Sequence, residues 1–198
     1  MSTSEPVATP EGHVVLDAED MRRVLTRISH EIVEKSRGAQ DLLLLGIPTR
    51  GVDLARRIGE RIEQIEGVPV PVGSIDPTMY RDDLRRRPPR ALQPTTIPAT
   101  GIDDRIVVLV DDVLFSGRTV RAALDALNEF GRPRAVRLAV LIDRGHRDLP
   151  IRADHVGRNV TTNPEDVVSV SVAAVDGADS VVVTAGMPAP ARVEEGTR

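Results

Sequence analysis

Two runs of apolar residues constrain the fold of this chain more than any other feature of its sequence. Residues 42–47 read LLLLGI, and residues 106–110 read IVVLV. Runs without polar alternation are typical of strands that are buried on both faces, as in parallel sheets. Each run is followed by a turn and then by a helix-like pattern. This alternation predicts an α/β fold: a mostly parallel twisted sheet with helices on both faces.

Helical periodicity is clearest over residues 17–37, which read DAEDMRRVLTRISHEIVEKSR. Asp17 is the expected N-cap, Asp20 follows three residues later, and Gly38 is expected to end the helix. The apolar residues that share one face are Met21, Val24, Leu25, Ile28 and Ile32. Further helices are predicted at 52–67 and 119–131, and further strands at 68–75, 135–143 and 165–172.

The organisation along the chain indicates one domain, at 13–185, between mobile tails at 1–12 and 186–198. Both tails are rich in small and polar residues, Pro and Glu. Residues 76–104 carry many Pro, Arg and Thr residues, and no core pattern is visible there. This segment is predicted to be a flexible arm or loop, for which a two-stranded arm is one form. Long loops in compact domains are usually functional or disordered.

Composition excludes several classes of function. The 198 residues include no cysteine, so disulfides and thiolate metal sites are excluded. With Tyr80, Phe115 and Phe130 as the only aromatic residues, a surface that stacks many single-stranded bases is not expected. The net charge is −4, but arginines cluster locally, and local patches set the field that a partner meets. No apolar stretch reaches transmembrane length and none begins the chain, so no membrane association and a cytoplasmic location are expected.

The stretch VVLVDDVLFSGRT, residues 107–119, places two acids at the end of a predicted buried strand. In open parallel sheets, ligands bind at the carboxyl ends of strands. The adjacent carboxylates of Asp111 and Asp112 suit the hydroxyl groups of a cis-diol, and they also favour an adjacent cation. The alternative is an acidic loop after a buried strand, since Asp and Gly are common in such loops.

Residues 116–119, Ser-Gly-Arg-Thr, lead from this strand into the next helix. The N–H groups of such a turn and of the helix N-terminus favour a phosphate, and Gly117 lets the backbone approach it closely. The Gly and Lys spacing of a P-loop is missing. The stretch is therefore interpreted as one cradle for a phosphorylated sugar, with the phosphate at 115–119 and the diol at 111–112.

This stretch closely resembles the diphosphate-sugar signature of type I phosphoribosyltransferases, in which two acids and three variable residues precede Ser/Thr-Gly-x-Thr. From about Leu16 to Val172 the chain resembles those members that are uracil phosphoribosyltransferases and also RNA-binding regulators of pyrimidine genes. The segments that carry the resemblance are LTRISHE, GIPTRG, RIEQIEG, YRDDL, VLVDDVLFSGRTVRA and AVLIDRGHRDLPIRAD. The resemblance implies the type I phosphoribosyltransferase fold, with a small hood and a flexible loop.

The resemblance implies a reaction of uracil with phosphoribosyl diphosphate (PRPP) that gives UMP and diphosphate. Asp111 and Asp112 match the catalytic acids of the family. The residues that match its phosphate-binding loop are Phe115, Ser116, Gly117, Arg118 and Thr119. Mg²⁺ is expected with PRPP, near the two acids but bound through substrate oxygens and water, because no cluster has dedicated metal-ligand spacing.

Two further loops match the family's diphosphate site. Thr49, Arg50 and Gly51 match the diphosphate loop, where backbone N–H groups face the diphosphate and the peptide before Arg50 is cis in relatives. Arg81 lies in YRDDL, which matches a mobile loop that closes over the diphosphate and excludes water. Without the family, PTRG would be an ordinary strand-to-helix turn, and YRDDL could equally be a solvated run of charges.

Substrate choice is indicated by Phe115. Relatives that salvage 6-oxopurines carry an Asp at this position, which handles a purine proton, and Phe115 cannot do so. The base is expected near the end of the strand at 135–143, beside Asp143 and Arg144. The alternative for DRGHRD is a surface turn.

The resemblance also implies an RNA surface. The matching residues are Thr26, Arg27, His30, His146, Arg147, Arg152 and Arg158. In the family this surface is a basic concavity of a dimer, so at least a homodimer is expected, with the leader of pyrimidine mRNA as the partner and UMP or UTP as the nucleotide sensed. Arg27 and Arg147 are far along the chain from the loops at 48–51 and 111–119, and the RNA surface and the PRPP site are expected to use different residues. Without the family, the helix residues would be a solvated face.

Two alternatives remain at the level of the sequence. One is a salvage phosphoribosyltransferase without a regulatory role. The other, a purine-type phosphoribosyltransferase without RNA binding, is disfavoured by Phe115 and by the basic helix face.

Overall fold

The structure is a computed structural model, and it describes residues 12–82 and 92–186. Apart from Gly12 and Gly186, the predicted tails lie outside the described residues. The strands are β1 (His13–Leu16), β2 (Leu42–Gly46), β3 (Val72–Ser74), β4 (Ile106–Leu114), β5 (Ala135–Asp143), β6 (His155–Asn159), β7 (Val167–Ser171) and β8 (Ser180–Thr184). The α-helices are α1 (Ala18–Ser36), α2 (Arg50–Glu66), α3 (Arg118–Leu127) and α4 (Ala173–Asp176).

The central sheet confirms the predicted fold class. Within the described residues it has five strands in the order β3-β2-β4-β5-β6, and all four neighbouring pairs are parallel. Side chains of β2 alternate between two cores: Leu42 and Leu44 pack with α1 and α2, whereas Leu43 and Leu45 pack with α3. Both faces of the sheet are therefore covered, which explains why the central strands β2 and β4 begin as continuous apolar runs.

Helix α1 forms as predicted at its start, and its end is one residue from the prediction. The Oδ1 atom of Asp17 accepts a hydrogen bond from the N–H of Asp20 at 2.7 Å, which caps the first turn. At the other end, Arg37 rather than Gly38 takes the left-handed cap conformation, with φ at 59°. The N–H groups of Arg37 and Gly38 return to carbonyls of the last turn, so the helix closes without a glycine at its cap.

Strand β4 is longer than predicted. It continues through both acids to Leu114, because Asp111 lies opposite Val140 of β5 and Leu114 lies opposite Asp143. The acids therefore belong to the strand rather than to a loop after it. Helix α3, in turn, starts one residue earlier than predicted and ends at Leu127 instead of Gly131.

A second sheet lies beside the first and was only partly predicted. Strands β1, β8 and β7 form this antiparallel sheet, which we call the hood. The segment predicted at 165–172 is β7, and it pairs with β8 instead of extending the parallel sheet. Its burial alternates, with Val167 and Ser169 exposed and Val170 buried, as expected for an antiparallel sheet with one solvated face.

The predicted arm at 76–104 is described at 76–82 and 92–104, and neither part forms a paired strand. The first part contains a single 3₁₀ turn, Thr78–Tyr80. The second returns along β3, where Thr96 exchanges backbone hydrogen bonds with Ser74. Ile102 is fully buried against α3 and β4, so this part contributes to the core, contrary to the expectation that the segment lacks a core pattern.

None of the helices among the described residues has both the length and the apolar character needed to cross a membrane.

Candidate functional site

The two acids lie side by side near the carboxyl end of β4. Asp111 is only 6% exposed, and its Oδ1 atom accepts the N–H of Asp112 at 2.9 Å. Asp112 is partly exposed, and its Oδ1 atom accepts the N–H of Val113 at 2.8 Å. Asp112 is therefore the more exposed of the two acids, whereas Asp111 lines the cavity described next.

The predicted phosphate loop follows at once and opens α3. Gly117 has φ at 90° and occupies the N-cap position without a side-chain capping bond. Its left-handed conformation favours a glycine, and the first turn of α3, whose N–H groups have no partner within the helix, begins directly after it. A cavity of about 200 Å³ lies in front of this turn. It is lined by Arg81, Asp111, Val113, Leu114, Phe115, Ser116, Gly117, Thr119, Val120 and Arg144.

Arg81 lines this cavity from the start of the arm. One guanidinium N–H donates to the Oγ1 atom of Thr119 at 2.6 Å. The next residue, Asp82, forms ion pairs with Arg118 at 2.9 Å and with Arg121 at 3.3 Å. The beginning of the predicted mobile loop is thus held against the phosphate loop and α3.

The predicted diphosphate loop packs against the acid strand. A Cβ atom on Gly51 would clash with the carbonyl oxygen of Val110, so glycine allows the loop to approach β4. The cis peptide is Pro48–Thr49, one bond before the position expected from relatives. The side chain of Arg50 forms two hydrogen bonds of 2.9 Å with the carboxylate of Asp176 in α4. This pair raises the pKa of Arg50 and lowers the pKa of Asp176.

The predicted base region lies at the ends of β5 and β6. An open groove of about 330 Å³ adjoins the cavity and shares Arg144 with it. The groove is lined by Asp143, Arg144, Gly145, His146, Asn159, Val160, Thr161 and Thr162. The half of the groove that follows β6 was not predicted, because strand β6 itself was not predicted. The available signal was the polar run NVTT, which follows a segment that contains a valine.

Arg144 separates the cavity from the groove. Its guanidinium carbon lies 4.3 Å from the centre of the Phe115 ring, within the range of a cation–π contact. It also donates hydrogen bonds to the carbonyl oxygen of Asn163 at 2.8 Å and to Oγ1 of Thr162 at 3.3 Å. Burial lowers the pKa of Arg144, which is 8% exposed. Phe115 and Arg144 therefore form a fixed wall between the two spaces.

The predicted RNA residues of α1 differ in their surroundings. Arg27 donates to the carbonyl oxygens of Val156 and Gly157, at 3.0 and 2.6 Å, and pairs with Glu31. Thr26 instead faces α2, where its Oγ1 atom accepts a hydrogen bond of 3.3 Å from Arg61. His30 is exposed.

The remaining predicted RNA residues are spread around the sheet. Arg158 donates to the carbonyl oxygen of Val15 at 2.7 Å, and Arg152 is exposed. The ring of His146 contacts the carbonyl oxygen of Thr162 at 2.7 Å and packs edge-on to Phe115.

Arg147 is far along the chain from the loop at 111–119, but in the structure it contacts that loop. Its guanidinium donates to the carbonyl oxygen of Phe115 at 2.8 Å and pairs with Asp143 at 2.5 Å. The turn at 143–147 places Arg147 against the phosphate loop. This contact could not be predicted, because the two segments are far apart in the sequence.

Comparison with known proteins places this geometry in a family. The phosphoribosyl transferase domain matches residues 14–174. Proteins named bifunctional protein PyrR match most of the chain: that of Streptomyces coelicolor is 64% identical over 180 residues, which cover 91% of this chain and 93% of the relative. That of Corynebacterium glutamicum is 57% identical over 174 residues, which cover 86% of this chain and 91% of the relative.

Solved structures support the fold. A hypoxanthine phosphoribosyltransferase of Trypanosoma cruzi, in complex with the product IMP, has a TM-score of 0.66 at 18% identity, with 91% of this chain and 94% of that chain covered. A hypoxanthine-guanine phosphoribosyltransferase of Bacillus anthracis has a TM-score of 0.66 at 15% identity, with coverage of 90% and 99%. Likeness at this level concerns the fold alone, whereas the matches above are far closer. The chain belongs to the phosphoribosyl transferase domain family and, within it, to the bifunctional PyrR proteins.

Proposed function

We propose that this chain transfers the phosphoribosyl group of PRPP to uracil, giving UMP and diphosphate, and that it also binds the leader of pyrimidine-gene mRNA in a way that depends on uridine nucleotides. The observation that carries the enzymatic part is one cavity lined both by Asp111, the first acid of the pair in β4, and by the N-terminal turn of α3. A phosphorylated ribose requires these two groups at opposite ends of one pocket.

The residues in and beside the cavity each have a role in the proposed reaction. The N–H groups at 116–119 and the hydroxyls of Ser116 and Thr119 bind the 5′-phosphate. Asp112 accepts hydrogen bonds from the ribose diol and favours the positive charge that develops on the sugar as diphosphate leaves. The backbone N–H groups at 49–51 hold the diphosphate, and Arg81 reaches it after leaving Thr119.

The base is proposed to lie in the groove between the ends of β5 and β6. Asp143 and Arg144 line this groove, and Arg144 also lines the cavity, so a base in the groove lies next to a sugar in the cavity. Phe115 occupies the position where purine-salvaging relatives carry an acid. It offers no carboxylate to a purine, which favours uracil over hypoxanthine.

Magnesium is proposed to enter with PRPP. Among the described residues, no group of three or more His, Cys, Asp or Glu side chains could hold a metal ion. The partly exposed carboxylate of Asp112 fits a hydrated ion that is bound chiefly by substrate oxygens, which is how proteins usually hold Mg²⁺. The ion would neutralise charge on the departing diphosphate.

The regulatory part rests on the exposed side of α1. Arg27 and His30 lie there, the partly exposed Thr26 lies beside them toward α2, and Arg158 of β6 is anchored to the strand that leads into α1. Arginine supplies phosphate contacts and planar stacking, which suit unpaired RNA loops. We propose further that residues 13–185 act as one domain, that the protein works in the cytoplasm, and that at least two copies assemble around the α1 helices.

The test combines an assay and a binding measurement on one preparation. Diphosphate release from PRPP is followed with uracil or with hypoxanthine, in the presence of Mg²⁺. The proposal predicts release with uracil and little with hypoxanthine. Filter binding then compares the leader of the chain's own pyrimidine transcripts with a shuffled RNA, with and without UMP. Uracil transfer without leader binding would support a salvage enzyme alone, and equal use of hypoxanthine would contradict the role of Phe115.

A further inference from the structure

Two arginine–carboxylate pairs join the hood to the helix that opens at the proposed diphosphate loop. Arg50 contacts Asp176 through two bonds of 2.9 Å. Arg57, about two turns further along α2, contacts Asp179 through bonds of 2.6 and 2.9 Å. Both carboxylates come from the short segment around α4, so the hood is fastened to α2 at one point inside the site and at one point outside it.

The carboxylate of Asp176 is fixed by the hood itself. Its Oδ2 atom accepts the backbone N–H of Val172 at 2.9 Å as well as the Nε–H of Arg50. Bidentate arginine–carboxylate pairs are the more directional and stronger class of ion pair. Arg50 is therefore oriented by a group that is itself held in place by the backbone of the hood.

Arg50 has a second acid within electrostatic reach. The negative charge of Asp112 also contributes to the raised pKa of Arg50, after the larger effect of its hydrogen bond to Asp176. A guanidinium released from Asp176 would be drawn toward Asp112. It would then compete with the ribose diol for that carboxylate and pull the loop at 49–51 out of position.

We propose that Asp176 is a positioning residue for PRPP: by holding the side chain of Arg50, it keeps the diphosphate loop in place and keeps Asp112 available to the sugar. This inference rests on the proposed function only in assigning PRPP to the cavity. Through the contact between Asp176 and Arg50, the hood takes part in binding the substrate.

The experiment compares Asp176→Asn with Asp179→Asn. Both variants remove a carboxylate that binds an arginine of α2, but only Asp176 contacts the loop. Binding of PRPP with Mg²⁺ is measured directly by calorimetry, beside steady-state kinetics and thermal unfolding. We expect Asp176→Asn to bind PRPP about tenfold more weakly, the loss typical of one charge-assisted hydrogen bond, and to raise the KM for PRPP with the KM for uracil unchanged. Asp179→Asn should lower thermal stability and leave PRPP binding at the wild-type level.

A double-variant cycle separates positioning from general support of the fold. In an Arg50→Gln background, Asp176→Asn should add little further loss of PRPP binding, because its effect acts through Arg50. Asp176→Glu keeps the charge, so it should bind PRPP more tightly than Asp176→Asn does. If Asp176→Asn does not fold, Asp176→Glu replaces it in the comparison with the wild type. Wild-type PRPP affinity in a folded Asp176→Asn protein, or equal losses in both single variants, would overturn the inference. If the wild-type protein binds PRPP but does not use uracil, that result would contradict the proposed function and leave this inference standing.

Discussion

Asp112 is the residue on which the proposed chemistry depends most. Asp112→Asn keeps the size of the side chain and its hydrogen bond to Val113 but removes the charge that is proposed to face the sugar. We expect a loss of about 1.5–3 kcal/mol in transition-state stabilisation, the range for a hydrogen bond to a charged group, with little change in melting temperature. Steady-state diphosphate release measures the effect. Asp125→Asn, on the exposed side of α3, is the matched control. Wild-type turnover in a folded Asp112→Asn protein would remove the assigned role.

His155 makes a second residue-scale prediction, because it is fully buried and both ring nitrogens lack a hydrogen-bond partner. Burial lowers its pKa, and nearby Lys35 lowers it further, while Asp154 and Glu31, which lies 3.6 Å away, oppose the shift. The unfolded chain therefore binds a proton more readily, near pH 6.5. Stability should be fully present above this pH and should fall as the pH decreases through it, by up to about 1.4 kcal/mol per pH unit.

Urea unfolding between pH 8 and pH 5 measures this dependence. His155→Leu should flatten the change over this range, whereas replacement of the exposed His13 by Gln should leave it as in the wild type. An unchanged pH profile in His155→Leu would show that other groups cause the loss of stability.

At the level of elements, the sequence identified those whose periodicity is set locally. Helix α1 and strand β5 have the predicted positions, because an amphipathic stripe and a continuous apolar run leave few alternatives. The full length of β4 could not be predicted, since its last residues pair only because β5 lies beside them. Strand β6 carries a single aliphatic residue, Val156, and it is defined by pairing with β5 instead of by pattern.

The same limit applies to the site. The acids and the phosphate loop are contiguous in the chain, so one motif contained them. Contacts between distant segments were not visible: Arg50 with Asp176, Arg144 with Phe115, and Arg147 with the Phe115 carbonyl. Each of these contacts depends on the path of a loop over the edge of the sheet, and the spacing of residues within one segment does not predict that path.

The exposed side of α1 carries the prediction for RNA. Arg27→Ala should weaken binding of the leader and, if the contact is to phosphate, reduce the salt dependence by about one unit of slope. Uracil transfer should be nearly unchanged, because Arg27 contacts β6 and not the cavity. Filter binding over a range of salt concentrations is the measurement, and Arg23→Ala, also exposed on α1, is the control. Leader binding by Arg27→Ala with wild-type affinity and slope would show that this side is only a solvated face.

For the whole molecule, the proposed RNA surface requires more than one copy. A basic concavity shared between α1 helices needs at least a dimer with two-fold symmetry. Light scattering at micromolar concentration should therefore give twice the mass of the chain or more. A strictly monomeric species that still binds the leader tightly would exclude this geometry.

The central claim is that one chain links a nucleotide in the cavity to RNA on its surface. Thermodynamic linkage requires the effect to be reciprocal: if UMP tightens leader binding by some factor, the leader must tighten UMP binding by the same factor. Calorimetric titration of UMP into the free protein and into the protein saturated with leader RNA measures this directly. We predict a lower Kd for UMP in the presence of RNA, by the factor found when RNA binding is measured with and without UMP. Identical UMP affinities with and without bound leader would contradict the account, because the two sites would then be independent.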